Sequence, residues 1–298
     1  NDERSSENGT LYSVTTTNSS ASTDDKVFTA SFTPTANLED LSNVITLANS
    51  GVTDVATNAG VGTTSSAEYE IDTVLPDATI TIADTALKAG ETTTVTISFT
   101  EVVSGFANAD LTVQNGTLST VATADGGRTY TATLTPSTTT DDTTNVITLA
   151  NTGFTDPAGN AGTGTTTSAN YAVGTVVPTV ASKISMDDTA LKVGDTATVT
   201  VVFSEAVTGL TVGDFDVANG SLSGLTTSNN ITWTATYTPT ANITDTSNVV
   251  SLPAGTVIDS DGNELTTASN NTSATFTIDT AAPTVTSVVA SGTGITNG

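Results

Sequence analysis

Apolar and polar positions alternate along most of this chain, with threonine and other β-branched residues on the polar side. The segments 92–99 (TTTVTISF) and 196–203 (TATVTVVF) place an apolar residue at every second position. This period is typical of strands with one buried and one solvated face. Turn signals such as Asn115-Gly116 and Asp261-Gly262 interrupt the runs, and no stretch sustains a helical period. The pattern predicts an all-β protein.

The chain contains an internal repeat of domain size. The pattern of segment 129–136 (TYTATLTP) recurs at 27–34 and 232–239, and that of 145–149 (NVITL) recurs at 43–47 and 248–252. The aligned residues Pro34, Pro136 and Pro239 are 102 and 103 residues apart. A repeat with roughly seven short strands predicts an immunoglobulin-like β-sandwich with Greek-key connections. We therefore predict tandem immunoglobulin-like domains arranged end to end.

Short proline-bearing linkers at 71–76, 173–178 and 278–283 predict the domain boundaries. We expect a partial domain over 1–74 that lacks its first strands, complete domains over 75–176 and 177–281, and the first strand of a further repeat over 282–298. We call the first three repeats one, two and three. Strand edges exposed at both ends could pair with like chains.

Composition excludes several kinds of chemistry. The 298 residues include 31 acidic residues, 6 basic residues, no cysteine and no histidine, for a net charge of −25. Thiol nucleophiles, histidine bases, zinc sites and disulfides are therefore excluded. Nucleic acid and anionic membranes would be repelled, and no membrane-inserting segment is apparent. Such acidity indicates either a halophilic surface or a requirement for divalent cations, and composition leaves both open.

Acidic loops at the domain junctions suggest a metal. The B–C and F–G loops of repeat two are expected at the pole that receives the preceding linker. Calcium takes six to eight oxygen ligands in irregular geometry, which loops from separate segments can supply. The candidate ligands there are Asp72, Asp77, Glu101, Asp110, Asp156 and Asn160. Their counterparts in repeat three are Glu205, Asp214, Asp259, Asp261 and Asn263.

The segment 259–263 (DSDGN) resembles the start of an EF-hand loop without its helices. The alternative is that these residues only form turns. A second acidic group is expected at the opposite pole of each domain, where it could contribute across a junction but fits solvated turns better. Its members are Asp84, Asp141, Asp142, Asp187, Asp188 and Asp245.

Two further expectations come from comparing the repeats. The linker aspartate Asp72 is replaced by Gly174 at the second junction, while Asp261 replaces Ala158. We therefore expect calcium at that junction to be held within repeat three, and Gly174→Asp to tighten its binding. Phe28, Tyr130 and Trp233 share one repeat position, which predicts a place in the core.

Several segments also resemble a known family. They are 84–92 (DTALKAGET) with 188–196 (DTALKVGDT), 99–101 (FTE) with 203–205 (FSE), and 156–160 (DPAGN). They are similar to the bacterial Ig-like domains repeated in large, RTX-like adhesins exported by type I secretion. The resemblance implies an extracellular location on a bacterial cell surface, a role in cell adhesion and biofilms, and Ca²⁺ at or near the junctions with neighbouring repeats.

The sequence thus predicts calcium-stiffened spacer repeats that project a distant binding domain. One alternative is a self-assembling filament or surface-layer protein. Another is a module that binds a glycan or protein directly, although no unrepeated aromatic or polar cluster supports it. The paired carboxylates Asp141 and Asp142 lie in a threonine-rich turn without an aromatic platform, so we predict no enzymatic activity.

Overall fold

The structure, a computed structural model, describes residues 4–16 and 27–289. In these ranges it contains strands, turns and short 3-10 segments, and no α-helix. No helix in the described part is long and apolar enough to cross a membrane. The strands and the lack of α-helices in the described residues confirm the prediction of an all-β protein. The 3-10 segments are Asn49–Gly51, Asn108–Asp110, Asn151–Gly153, Val212–Asp214 and Ser269–Asn271.

The chain divides into two compact units. One takes in the described residues up to Thr85 together with Thr93–Thr135 and Thr144–Tyr171. The other takes in Ala86–Thr92, Pro136–Thr143 and the described residues from Ala172 onward. The second unit therefore combines repeat three with three short segments of repeat two.

Repeat one forms three small sheets with strand orders β1-β5-β6, β2-β3 and β4-β7. The strands are β1 (Arg4–Ser6), β2 (Gly9–Thr16), β3 (Phe28–Pro34), β4 (Glu39–Asn43), β5 (Ile45–Ala48), β6 (Thr63–Ser65) and β7 (Tyr69–Asp72). Within the described residues β3 pairs with β2 alone, and Phe28 is 58% exposed.

Repeat two adds strands before the pattern of repeat one. Its strands are β8 (Ala78–Ile82), β9 (Ala86–Lys88), β10 (Thr93–Phe99), β11 (Leu111–Val113), β12 (Gly116–Leu118), β13 (Ala122–Thr123), β14 (Thr129–Pro136), β15 (Asp141–Asn145), β16 (Ile147–Ala150), β17 (Thr165–Thr167) and β18 (Tyr171–Gly174). The sheets in the first unit are β12-β14-β10-β8, with β13 also on β14, and β11-β16-β17. In the second unit β9 pairs with β18 in parallel, Leu87 opposite Val173.

Repeat three follows the same plan. Its strands are β19 (Val180–Met186), β20 (Ala190–Lys192), β21 (Ala197–Phe203), β22 (Asp216–Val217), β23 (Gly220–Thr227), β24 (Thr232–Pro239), β25 (Thr244–Asn248), β26 (Val250–Ser251) and β27 (Phe276–Asp279). They form the sheets β19-β21-β24-β23, β20-β27-β25 and β22-β26. The strand predicted over 282–298 is not seen at 282–289, and residues 290–298 lie outside the described part.

The alternating pattern places one face of each central strand in a core. In β10 the fully buried residues are Val95 and Ile97, and in β21 they are Val199, Val201 and Phe203, each at most 1% exposed. Aromatic rings fill the space between the sheets; in repeat three Tyr237 meets Phe276 edge to face at 5.2 Å. This core holds the loops at each end of the sandwich in place.

The structure corrects the expectation for the aromatic residues at one repeat position. Phe28 is exposed, and Trp233 is only partly buried, lying against the edge of the core and donating its indole N–H to the Asn230 carbonyl. Of the three residues, Tyr130 does pack edge to face against the buried Phe106, at 4.8 Å. The most deeply buried aromatic residues are Phe154, Tyr171, Phe203, Tyr237 and Phe276. Trp233 is the second residue of β24.

Candidate metal centres at the two joints

At the joint between repeats one and two, three carboxylates converge. Asp72 ends β7, Glu101 follows β10, and Asp156 lies in the loop between β16 and β17. One oxygen from each lies within 4.8 Å of the others. Ligands on opposite sides of a calcium ion are about 5 Å apart, because each bond is about 2.3–2.6 Å long. The spacing is therefore compatible with one shared cation.

A hydrogen-bonded loop fixes this cluster. The Asn160 backbone N–H donates to Asp156 Oδ1 at 2.8 Å, and Asn160 Nδ2 donates to Asp156 Oδ2 at 2.7 Å. The same Nδ2 donates to the backbone carbonyl of Asp72 at 3.1 Å. Asp156 is 2% exposed. Asn160 therefore orients the acid of repeat two and ties it to the linker.

Glu101 lacks a partner for a buried oxygen. Its Oε1 is buried and accepts no hydrogen bond from the described residues. Burial raises the pKa of Glu101, and the charges of Asp156, Asp72 and Glu39 raise it further, while Arg128 opposes them. A buried acceptor without a donor, surrounded by like charges, is unfavourable unless a cation compensates it.

The joint between repeats two and three also gathers acids, but among the described residues only the first joint has three carboxylate oxygens within 4.8 Å of one another. Glu205 Oε1 is likewise buried without a partner among the described residues. Burial raises the pKa of Glu205 most, and the charges of Asp259, Asp141 and Asp261 raise it further. The pKa of Asp261 is raised by burial and then by Asp259 and Asp141. Four carboxylates therefore repel one another at this joint.

The missing linker carboxylate is replaced from the opposite side. A Cβ atom on Gly174 would lie 2.7 Å from Asp261 Oδ2 and 2.8 Å from Asp261 Cβ. Asp261 thus occupies the space beside the linker that a side chain at position 174 would fill. This corrects the expectation for Gly174→Asp, because a new aspartate would collide with Asp261 instead of adding a free ligand.

Three of the candidate ligands serve turns. Asp77 Oδ1 accepts the N–H of Ala78. Asp110 Oδ2 accepts the N–H of Ala107, and Asp214 Oδ2 accepts both the N–H and the hydroxyl of Thr211. The last two cap 3-10 segments. None of the three belongs to the carboxylate group at the first joint, and we leave them out of the proposed sites.

Two further acidic residues contribute to the joints. The sequence does not single out Glu39, and it favours a solvated turn for Asp141. They occupy the same position of successive repeats, at the start of β4 and β15, and each raises the pKa of the glutamate that follows in the next repeat. The comparable residue in repeat three is Thr244, which donates to Asp279 Oδ1 at 3.0 Å.

Three other acids at that pole accept backbone N–H groups. Asp187 accepts the N–H of Thr198, and Asp245 accepts that of Ser247; these bonds lower both pKa values. Asp188 Oδ1 accepts the N–H of Ala190. The bonds of Asp188 and Asp245, to residues two positions along the chain, are typical of turns, whereas the bond of Asp187 reaches Thr198 in β21.

Solved structures with similar folds include adhesins. The Escherichia coli adhesin FdeC is 14% identical, with a TM-score of 0.37 over 92% of this chain and 86% of that chain. Invasin, a bacterial integrin-binding protein, is 13% identical, with a TM-score of 0.33 over 83% and 49%. The Yersinia pseudotuberculosis adhesin InvE is 17% identical, with a TM-score of 0.25 over 68% and 58%. No curated protein sequence matches significantly.

The family comparison agrees with the repeat seen in the sequence and in the strand plan. The sequence model of the bacterial Ig-like domain matches three consecutive segments, residues 1–71, 72–173 and 174–278. The resemblance inferred from the sequence is thereby confirmed, and the chain belongs to the bacterial Ig-like domain family.

Proposed function

We propose that this chain is a spacer segment of a bacterial surface adhesin and that calcium at its joints stiffens it. The observation that carries the proposal is the pair of buried, unpartnered Oε1 atoms on Glu101 and Glu205. They occupy equivalent positions at successive joints, each surrounded by further carboxylates. A repeated arrangement of this kind indicates a shared requirement for a cation.

The donor chemistry favours calcium. The sites offer only oxygen ligands, and the chain has no histidine or cysteine. Loops from separate segments suit the irregular coordination of calcium better than the octahedral geometry of magnesium. Extracellular calcium modules bind with dissociation constants of about 10⁻⁴–10⁻³ M. The proposed ligands are Glu39, Asp72, Glu101 and Asp156 at the first joint, and Asp141, Glu205, Asp259 and Asp261 at the second.

The ligands explain how binding would stiffen the chain. At the first joint Asp72 belongs to repeat one, whereas Glu101 and Asp156 belong to repeat two. At the second joint Asp141 belongs to repeat two, and the other acids to repeat three. A cation that contacts both repeats removes their mutual repulsion and opposes bending. The same proposal includes a secreted spacer on a cell surface, without catalytic activity. It also includes the domain boundaries predicted from the sequence.

Calorimetric titration of metal-free protein tests it directly. We expect calcium to bind at two sites and small-angle scattering to show a narrower range of conformations with calcium than with a chelator. Magnesium should bind more weakly. The proposal would be wrong if calcium bound no more tightly than magnesium, or if scattering were the same in both conditions. Formation of polymers at working concentrations would favour the self-assembling alternative.

A further inference from the structure

The second joint contains a contact that uses no cation. Asn263 is 3% exposed and ends the acidic loop of repeat three. Its Oδ1 accepts the backbone N–H of Ala89, in the turn after β9 of repeat two, at 2.8 Å. Its Nδ2 donates to the carbonyls of Gly174 and Val176, both at 3.0 Å. One side chain therefore contacts two separate segments of repeat two.

The loop of repeat three holds this amide in position. Asp259 accepts the Asn263 backbone N–H at Oδ1 and the Asn263 Nδ2 at Oδ2, at 2.9 and 2.8 Å. Gly262, with φ of +87°, lets the loop reverse next to Lys88, whose Cδ and Nζ would be 3.7 Å from a Cβ there. The asparagine is thus rigidly presented to repeat two.

We propose that the turn Lys88–Glu91 and the linker carbonyls of repeat two form a receptor for the Asp259–Asn263 loop, and that this asparagine lock fixes the second joint without a cation. The compact unit around repeat three supports this, because it also contains Ala86–Thr92, Pro136–Thr143 and the segment that begins at Ala172. Buried hydrogen bonds between well-ordered groups resist bending because breaking them leaves polar atoms unpaired.

Repeat three presents the same receptor. Lys192–Asp195 forms the matching turn, with a bond from Asp195 N–H to the Lys192 carbonyl and Gly194 at φ +87°. Val193, the counterpart of Ala89, is 70% exposed. Next to it lies a cavity of about 290 Å³, lined by residues that include Thr238, Asn242 and Thr280. The turn of repeat three thus repeats the turn that receives Asn263 in repeat two, and its exposed Val193 makes it a suitable control.

The turn offers a clean test. Glu91 N–H bonds to the Lys88 carbonyl, and Gly90 has φ of +80° whereas Ala89 has no positive φ. This is the geometry of a type II turn, which favours proline at its second residue. Ala89→Pro therefore removes the N–H donor while preserving the turn. Val193→Pro makes the same change in the matching turn of repeat three and serves as the control.

Distances between spin labels across the joint provide the readout. Because the chain has no cysteine, Thr138→Cys and Ser228→Cys label repeats two and three specifically. In the presence of a chelator we expect one narrow distance distribution for the parent and the Val193→Pro variant. The distribution should be about twice as wide in Ala89→Pro and in Asn263→Ala. Circular dichroism and melting show whether each variant is folded; if Asn263→Ala does not fold, Ala89→Pro decides.

The outcomes separate this inference from the calcium proposal, which it does not require. A parent joint that becomes mobile in chelator overturns the lock and leaves the calcium sites standing. The lock is also overturned if the distance distributions of the parent and Ala89→Pro are equally wide. It is overturned as well if Val193→Pro broadens the distribution as much as Ala89→Pro does. A joint that is rigid with and without calcium supports the lock, and any stiffening by calcium then arises at the first joint.

Discussion

Asp261 and Gly174 share one space at the second joint, since a Cβ on Gly174 would lie 2.7 Å from the Asp261 carboxylate oxygen Oδ2. At the first joint the corresponding pair is Asp72 and Ala158. At the first joint the acid is in the linker and the loop of the following repeat has alanine. At the second joint the acid is in the loop and the linker has glycine. The two substitutions compensate each other.

Gly174→Asp should therefore destabilise repeat three. Gly174 lacks a positive φ, so the obstacle is the collision with Asp261; overpacking of this kind costs about 1–3 kcal/mol. The double variant Gly174→Asp with Asp261→Ala recreates the pair of the first joint and should recover most of the loss. Trp233, the single tryptophan, reports on repeat three during urea unfolding. A Gly174→Asp variant that matched the parent in stability and bound calcium more tightly would contradict this account.

Glu101→Gln should have opposite effects with and without calcium. In metal-free buffer it removes a partly buried charge among other carboxylates, so the melting temperature should rise. With calcium it removes a charged ligand, so affinity at the first joint should fall by about tenfold or more. Asp77→Asn is the control, because Asp77 is exposed and bonds to its neighbour's N–H. Calorimetry and melting measure both effects; parallel changes of the two variants would argue against a site at Glu101.

The pH dependence of stability should also reverse with calcium. The folded, metal-free protein raises the pKa values of Glu101 and Glu205 above their usual 4.5, so it binds more protons than the unfolded chain in the window just above 4.5. Stability should then fall as pH rises through that window. Bound calcium keeps the carboxylates ionised, so stability should instead fall on acidification. Melting curves from pH 4 to 7, in metal-free and calcium buffers, distinguish the two slopes; equal slopes would contradict the prediction.

Truncating Tyr237 should cost more than truncating Trp233. Tyr237 is fully buried, meets Phe276 and donates its hydroxyl to the Ala218 carbonyl at 2.7 Å. Tyr237→Ala should lower the free energy of unfolding of repeat three by about 3–5 kcal/mol. Trp233→Ala should cost about half as much, because the ring is only partly buried. Circular dichroism during urea unfolding compares them, and a larger effect of Trp233→Ala would contradict the burial seen here.

The sequence predicted the fold because alternation in strands such as β10 and β21 is a local signal and the repeat multiplies it. It also predicted that Glu101, Asp156 and Asn160 lie near one another, since they lie in loops at one pole of their own domain. It does not single out Glu39 or place Asp141 near Glu205, because strand order within a domain does not show which groups meet across a joint. For Asp110 and Asp214 the sequence leaves two interpretations open, because a carboxylate that caps a turn has the same sequence pattern as a ligand.

The pairing of Asp261 with Gly174 also limits how such a gene can change its length. Recombination between repeats that removed residues 73–174 would join Asp72 directly to Thr175 and place its carboxylate against Asp261. The encoded joint would then hold two acids in the space for one. Gain or loss of repeats is therefore compatible with this joint only when the linker residue and its partner in the next repeat are inherited together.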